Sequence, residues 1–226
     1  MIVKVIDAGT MEYGDAWELQ KRLHERAVSS NADAFLMLVE HPPVITLGKN
    51  ASERFLLSGE AWLKKVGVGI YRSDRGGEAT AHNPGQLVAY PVIPLQAFGL
   101  GARAYVQQLE SAVIKTLAGF GVTSGRDPDH PGVWVGNDKI CAVGTRIKDR
   151  ATMHGIALNV DNDLGIFGFI VPCGISGRGV TSLAQILGSG PDIQPDIHKV
   201  KDEFVKCFAD LFKCRIENSS VDEFAF

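Results

Sequence analysis

Three consecutive apolar segments between residues 132 and 160 restrict the fold more than any other feature of the sequence. The segments G-V-W-V, K-I-C-A-V-G-T-R-I and T-M-H-G-I-A-L-N-V are separated by short runs rich in turn residues, G-N-D and K-D-R. Strands joined by such short turns run antiparallel, because a parallel connection needs a dozen or more residues. The sequence therefore predicts a meander of three antiparallel strands.

Helices and further strands are predicted on both sides of this meander. Apolar residues at helical spacing mark the segments 13–28, 102–120, 196–213 and 181–187, the last with Thr181 as its N-cap. Extended apolar segments lie at 34–41, 44–48, 66–74 and 87–95, and the prolines of the last confine it to an edge or a short ladder. This order predicts an α+β fold, a single domain over residues 1–226 with mixed or antiparallel sheets flanked by helices.

Composition and charge exclude several classes of protein. The chain has 226 residues, of which 45% are hydrophobic and 22% charged, as in an ordinary globular protein. Its net charge of -3 argues against a nucleic-acid-binding protein, since such proteins usually carry a basic excess. The sequence shows neither a signal peptide nor an apolar run long enough to cross a membrane. We therefore expect a cytoplasmic protein that binds neither nucleic acid nor membrane.

The four cysteines differ in their sequence surroundings. They form no C-x-x-C pair and no metal-ligand spacing, so we expect reduced thiols and no metal. Cys141 lies in an apolar strand and Cys207 on the apolar side of a helix, which is typical of packing residues. Cys173 lies in V-P-C-G-I-S-G, among turn residues. This position suits an exposed thiol better than a buried one.

Two further features are candidates for chemistry. The loop R-G-G-E-A-T-A-H-N-P-G-Q (75–86) is rich in glycine, which lets backbone N–H groups approach a ligand, but it matches neither the phosphate-loop nor the dinucleotide pattern. A mobile surface loop is the alternative. Lys139 begins an apolar strand, so its ammonium can point either into a cavity or into solvent.

Four ordered motifs resemble the octanoyltransferases of lipoate biosynthesis. They are R-G-G-E-A-T-A-H-N-P-G-Q, G-V-W-V with K-I-C-A-V-G-T-R-I, H-G-I-A-L-N-V, and P-C-G-I, between residues 40 and 185. The resemblance implies a fold similar to the catalytic domains of lipoate and biotin protein ligases. It also implies that an octanoyl or lipoyl group passes from acyl carrier protein to a cysteine and then to a lysine of a lipoyl domain. The implied acceptors are the lipoyl domains of 2-oxoacid dehydrogenase complexes and the glycine cleavage H protein.

The resemblance also assigns residues. Cys173 matches the nucleophile that accepts the acyl group, and Lys139 matches its partner, whose ammonium favours the thiolate. The implied substrate-binding residues are Arg75, Gly76, Gly77, Glu78, Ala79, Thr80, Ala81, His82, Ala142, Val143, Gly144, Gly155, Ile156 and Ala157. No cofactor is expected.

The chain departs from the family pattern at two positions. Members of the family usually read T-Y-H-G-P-G-Q, where this chain has Ala81 and Asn83. We expect the missing ring to leave more room for the acyl chain, and Asn83 to tolerate the positive φ that glycine permits. Four other activities remain open at this point: an amidotransferase between lipoyl-bearing proteins, an ATP-dependent ligase, a non-catalytic module that binds lipoyl domains, and a thioesterase.

Overall fold

The computed structural model describes residues 1–52, 55–171, 178–188 and 194–224. The strands are β1 (Ile2–Thr10), β2 (Phe35–Glu40), β3 (Val44–Leu47), β4 (Gly69–Arg72), β5 (Ala79–His82), β6 (Gln86–Val92), β7 (Gly125–Arg126), β8 (Val133–Val135), β9 (Asp138–Lys148), β10 (Ala151–Asn159) and β11 (Arg215–Ser219). The helices are α1 (Tyr13–Ser30), α2 (Glu60–Lys65), α3 (Ala102–Gly119), α4 (Leu183–Leu187) and α5 (Ile197–Phe212). Short 3₁₀ turns lie at Leu95–Phe98, Leu164–Phe169 and Val221–Glu223.

The strands form two mixed sheets. The large sheet has the order β11-β1-β2-β6-β10-β9-β8-β7, in which β1 is parallel to β11 and β2 and the other neighbours are antiparallel. The small sheet has the order β4-β3-β5, with β3 parallel to β4 and antiparallel to β5. The meander β8-β9-β10 is present as predicted, and the α+β fold with mixed sheets is confirmed.

Helices cover both faces of the large sheet. On one face, Leu19 and Leu23 of α1 pack in the same buried cluster as Met37 of β2. On the other face, Leu109 of α3 packs in a cluster with Leu36 of β2. Successive side chains of a strand point to opposite faces, so β2 contributes to both clusters and is apolar from Phe35 to Val39. In the part of the chain that the structure describes, no helix has the length and apolar character needed to cross a membrane.

β6 lies in the middle of the large sheet although it contains Pro91. The edge position is therefore wrong, whereas the short ladder is confirmed, since β6 pairs with β10 only from Gln86 to Ala89. Beyond that point the Thr152 hydroxyl adds to the pairing, donating to the Pro91 carbonyl at 2.7 Å and accepting from the Ile93 N–H at 3.0 Å, and the Thr152 N–H donates to the Ile93 carbonyl at 3.1 Å. Proline is tolerated here because β10 does not accept a hydrogen bond from a backbone N–H of β6 at this position.

Two local predictions are corrected by the structure. The segment 75–86 is not wholly a loop, because Ala79–His82 form β5 and pair with β3. The N-cap of α4 is Ser182 rather than Thr181, with the Ser182 hydroxyl accepting from the Gln185 N–H at 3.2 Å. The backbone N–H of Thr181 instead donates to the Lys139 carbonyl at 3.0 Å.

Candidate active site

A cavity of about 520 Å³ lies between the large sheet and the segment 75–82. All of the predicted substrate-binding residues except Ala81 line it: Arg75, Gly76, Gly77, Glu78, Ala79, Thr80, His82, Ala142, Val143, Gly144, Gly155, Ile156 and Ala157. Lys139 also lines this cavity. Three segments that are distant in the sequence are thus brought together around one space.

The floor of the cavity is built from small residues. Ala142 and Gly144 of β9 pair with Ala157 and Gly155 of β10, respectively. A Cβ on Gly155 would come within 2.2 Å of the Ala89 carbonyl oxygen, so the close approach of β6 requires glycine there. The floor therefore offers a mostly apolar surface of alanine and glycine, with Val143 and Ile156 as the larger lining residues of the same two strands.

The glycine-rich segment closes one end of the cavity over β9. The Gly76 N–H donates to the Thr145 carbonyl at 2.9 Å. The buried guanidinium of Arg75 holds this segment in place, donating to the Thr46 carbonyl at 2.6 Å and to the Glu78 carbonyl at 2.9 Å. Arg75 thus fixes the shape of the wall with hydrogen bonds to backbone oxygens.

Lys139 lies towards the opposite end of the same stretch of β9. The extended chain from Lys139 to Thr145 spans roughly 20 Å. The Lys139 side chain passes beside Gly132, where an added Cβ would lie 3.3 Å from Lys139 Cε, and its ammonium lies 4.8 Å from the centroid of the Trp134 ring. Of the two orientations that the sequence permits, the structure has the one that lines the cavity.

Cys173 lies outside the described residues, but the chain on both sides of it is described. Before it, the Val171 N–H donates to the Phe55 carbonyl at 2.9 Å. After it, the Lys139 N–H donates to the Gly179 carbonyl at 3.0 Å, and Val180 forms a parallel bridge with Lys139. The chain that follows the Cys173 segment therefore runs directly beside Lys139.

The three described cysteines are poor candidates for a nucleophile. Cys141 and Cys207 are buried, which confirms that they are packing residues, and Cys214 is half-buried. Burial raises the pKa of all three thiols. Because the thiolate is the reactive species, none of these three is prepared for acyl transfer at neutral pH.

Two neutral histidines lie at one wall of the cavity, where His82 lines it and His41 packs against the His82 ring. Burial lowers the pKa of His41 to about 4 and that of His82 to about 3. His41 Nδ1–H donates to the Met11 carbonyl at 2.7 Å, so its Nε2 accepts from the Tyr90 hydroxyl at 2.8 Å. His82 Nδ1 lies 2.7 Å from Gln86 Oε1. This wall of the cavity is polar and ordered but carries no charge on these two rings at neutral pH.

His154 has an unusual backbone conformation for a residue of a β-strand. Its φ is +55°, in the left-handed region that a buried non-glycine residue rarely adopts. Its N–H donates to Gln20 Oε1 at 2.9 Å, and its Nε2 lies 2.7 Å from Asp74 Oδ1, which belongs to a carboxylate also paired with Arg146. Burial lowers the pKa of His154 to about 3. These contacts hold His154 in its left-handed conformation, next to Gly155 of the floor.

Comparison with known families decides where the chain belongs. The model of the lipoyl protein ligase A/B catalytic domain matches residues 12–209. The chain belongs to this family. A relative from Chloroflexus aggregans, named octanoyltransferase, is 45% identical over 218 residues, which cover 95% of this chain and 97% of the relative. The family membership that the four motifs indicated is thereby confirmed.

Solved structures show how widely this fold is shared. A structure described as a bipartite lipoate protein ligase and its E2 lipoyl domain from Thermoplasma acidophilum has a TM-score of 0.75 at 15% identity, covering 100% of this chain and 91% of the other. A mutant of biotin protein ligase from Aquifex aeolicus, in complex with biotin, has a TM-score of 0.54 at 15% identity, covering 93% of this chain and 70% of the other. The predicted similarity to both ligase folds is confirmed.

The two departures from the usual octanoyltransferase motif have structural consequences that differ from those expected from the sequence. Ala81 faces away from the cavity and is fully buried in the cluster that contains Ile166 and Phe167, because side chains alternate along β5. Asn83 does not have a positive φ. Its side chain instead donates to the Asp163 carbonyl at 2.8 Å and accepts from Asn162 at 3.0 Å. Neither residue borders the cavity.

Several lining residues were not identified from the sequence. They are Tyr13, Asn50, Val88, Tyr90, Val106, Asp129, His130, Pro131, Thr145 and His154. In the sequence, Tyr13 and Tyr90 are ordinary apolar positions of a helix and a strand. They reach the cavity only because the fold packs this helix and this strand beneath β5. His154 is a polar residue near the start of an apolar strand, and its spacing gives no sign of its positive φ.

Proposed function

We propose that this protein transfers an octanoyl or lipoyl group from acyl carrier protein, through a thioester on Cys173, to the ε-amine of a lysine on a lipoyl domain. The observation that carries the proposal is the position of Lys139 on a cavity with a floor of alanine and glycine. A cation beside an acyl-sized apolar space suits a reaction in which a thiolate attacks a thioester. The sequence similarity to proteins named octanoyltransferase supports the same activity.

The reaction divides into two acyl exchanges. In the first, the Cys173 thiolate attacks the carbonyl carbon of the octanoyl thioester, and the carrier leaves as a thiol that has taken a proton from the Lys139 ammonium, which leaves Lys139 as a neutral amine. In the second, the lysine amine of the lipoyl domain attacks the new thioester, Cys173 leaves as thiolate, and the proton of the amine passes to Lys139. Lys139 thus has two roles, as the cation that favours the thiolate and as the acceptor of the proton. The described cysteines do not compete, since burial raises the pKa of each thiol.

The acyl chain lies on the floor between β9, β10 and the glycine-rich segment. Burying its methylenes contributes roughly 0.8 kcal/mol each, so about 5 kcal/mol is available for an octanoyl chain without any polar contact. The proposed substrate-binding residues are those of the sequence prediction that line the cavity. Ala81 is left out of this set because its side chain lies in the core of the small sheet.

The proposed partners follow from the two exchanges. Octanoyl-acyl carrier protein is the donor, and the acceptors are the lipoyl domains of 2-oxoacid dehydrogenase complexes and the glycine cleavage H protein, all met in the cytoplasm. The catalytic unit extends over residues 1–226 and uses neither a metal nor a cofactor. An octanoyl amidotransferase differs only in its donor, and an ATP-dependent ligase differs in activating a free acid.

A comparison of donors tests this proposal. Octanoyl-carrier protein, an octanoylated lipoyl domain, and octanoate with ATP are each offered with an unmodified lipoyl domain as acceptor. We expect transfer from the carrier thioester without ATP. Preferred transfer from the octanoylated domain would make the protein an amidotransferase, and strict dependence on ATP would make it a ligase.

A further inference from the structure

The indole of Trp134 contacts two cations, Lys139 of β9 and Arg178 of the chain that follows the Cys173 segment. The Lys139 ammonium lies 4.8 Å from the ring centroid, and the Arg178 guanidinium lies 4.5 Å from it. The ring itself is fixed, because Trp134 is only 6% exposed and its Nε1–H donates to the His130 carbonyl at 3.2 Å. One rigid aromatic surface therefore holds both the proposed catalytic lysine and the first described residue after Cys173.

Arg178 is also fixed from its other side. Its Nη1 lies 2.6 Å from Asp127 Oδ2, and the hydrogen bond from Arg178 lowers the pKa of the Asp127 carboxyl. The other oxygen of Asp127 accepts from the N–H groups of Asp129 and His130, both at 3.0 Å. Asp129 and His130 themselves line the cavity. The Arg178 side chain thus links the loop at the cavity to the Trp134 ring.

Backbone contacts join the same two segments. The Lys139 N–H donates to the Gly179 carbonyl and the Thr181 N–H donates to the Lys139 carbonyl, both at 3.0 Å. The Gly179 N–H donates to Asp138 Oδ1 at 3.1 Å. These bonds fix the Lys139 backbone, but they do not fix the end of its long, flexible side chain. The Trp134 ring does this, since the face of an indole attracts an ammonium group.

We propose that Trp134 is a positioning residue, whose indole holds the Lys139 ammonium in the orientation in which it favours the Cys173 thiolate. This inference rests on the proposed function, because it assigns to Trp134 a role in the reactivity of Cys173. Arg178 on the same ring keeps the chain after Cys173 in register with Lys139. In this role Trp134 acts on the reaction only through Lys139.

The test measures the reactivity of Cys173 without any acyl donor. The rate of alkylation by iodoacetamide is followed against pH, with peptide mass spectrometry assigning the label to Cys173. We expect Trp134→Leu to lower the rate at neutral pH by about tenfold and to move its midpoint to higher pH, whereas Trp134→Phe, which keeps an aromatic face, retains most of it. Trp62→Leu is the matched control, since this indole is 46% exposed and packs on Phe169. In Trp62→Leu, Cys173 should be alkylated at the same rate as in the parent protein.

A double substitution separates positioning from a purely structural role. In the Lys139→Ala background, Trp134→Leu should have no further effect on the alkylation profile, because the group that Trp134 positions is absent. The proposal would be overturned if the two substitutions lowered the alkylation rate of Cys173 by amounts that add in full in the double variant. It would also be overturned if the alkylation profile of Trp134→Leu equalled that of the parent. If Trp134→Leu does not fold, fluorotryptophan in place of tryptophan keeps the shape of the ring and weakens its negative face. The rate should then fall in the parent but not in Lys139→Ala, and equal sensitivity in both would overturn the proposal.

The two proposals fail in different ways. If the parent protein forms no octanoyl adduct but Trp134 and Lys139 remain coupled in alkylation, the proposed function is wrong and the positioning role stands. If the adduct forms and Trp134 has no influence on alkylation, the positioning role alone is wrong.

Discussion

Gly155 on β10 lies so close to Ala89 on β6 that a Cβ at Gly155 would come within 2.2 Å of the Ala89 carbonyl oxygen. The same Cβ would lie 2.8 Å from Pro91 Cδ. Gly155→Ala must therefore separate the two strands beneath the cavity. We expect a loss of about 1–3 kcal/mol in the free energy of unfolding and a fall in transfer rate of tenfold or more, about what a small misplacement of the reacting groups costs.

Gly125→Ala is the control for this substitution. Gly125 lies in β7, has no positive φ, and has no heavy atom within 4 Å of an added Cβ. The urea midpoint and the transfer rate of Gly125→Ala should remain near those of the parent. If Gly155→Ala behaves like Gly125→Ala, the close approach of β6 does not shape the floor.

The acyl-chain preference should depend on Ala142 and not on Ala81. Ala142→Leu places a larger side chain on the floor of the cavity, so the ratio of kcat/KM for hexanoyl over octanoyl donors should rise by about tenfold or more. Ala81→Leu enlarges the core of the small sheet instead, and should lower stability without changing this ratio. A change of preference in Ala81→Leu would contradict the orientation of β5.

Stability should fall as the pH is lowered from 7.5 to 5. In the folded protein the pKa values of His41, His82 and His154 are about 4, 3 and 3, below the ordinary value of 6.5. At a pH between the folded and the ordinary values, the unfolded chain therefore binds more protons than the folded one. The stabilisation is fully present above the ordinary pKa and is lost as the pH falls towards the folded values. Its slope is at most about 1.4 kcal/mol per pH unit for each histidine.

Urea unfolding at several pH values measures this dependence. His82→Asn should be less stable than the parent at pH 7.5, because the smaller side chain leaves a cavity where the buried imidazole packs. It should also lose less stability between pH 7.5 and pH 5. An unchanged slope would mean that His82 does not contribute to the acid sensitivity.

Substitution of Lys139 should separate its two proposed roles. Lys139→Ala removes both the cation and the proton acceptor, so transfer should fall by about 100-fold or more while the fold survives. Lys139→Arg keeps the charge but exchanges a proton poorly, so it should restore alkylation of Cys173 better than transfer to the lipoyl domain. Turnover near that of the parent in both variants would show that Lys139 has neither role.

The sequence was sufficient to predict those helices and strands whose apolar residues recur at regular spacing. Helix α3 is predicted at 102–120 and observed at Ala102–Gly119, and the meander is found where its turn residues place it. Strand β1 was not predicted, although M-I-V-K-V-I is apolar and β-branched, and β11 is too polar to be recognised. These two strands form by pairing with each other across the length of the chain, which local patterns do not reveal.

The candidate site was predictable where the family resemblance assigned residues. Lys139 and most of the substrate-binding set line one cavity, but spacing alone left Lys139 with two orientations. Ala81 does not line the cavity, because it lies in strand β5, which sets the orientation of its side chain and which the sequence analysis took for a loop. Trp134 was not identified, since its relation to Arg178 depends on the tertiary path of the chain after Cys173.

The most direct test of the account is to mix the protein with octanoyl-carrier protein in the absence of a lipoyl domain. Exchange between two thiols is close to isoenergetic, whereas amide formation is downhill, so the octanoyl adduct should accumulate until an acceptor is added. Intact-protein and peptide mass spectrometry should place it on Cys173 and not on Cys141, Cys207 or Cys214. Hydroxylamine should remove it, and a lipoyl domain should convert it to an amide that resists hydroxylamine. Transfer that persists in Cys173→Ala, with no adduct in the parent protein, would contradict the mechanism.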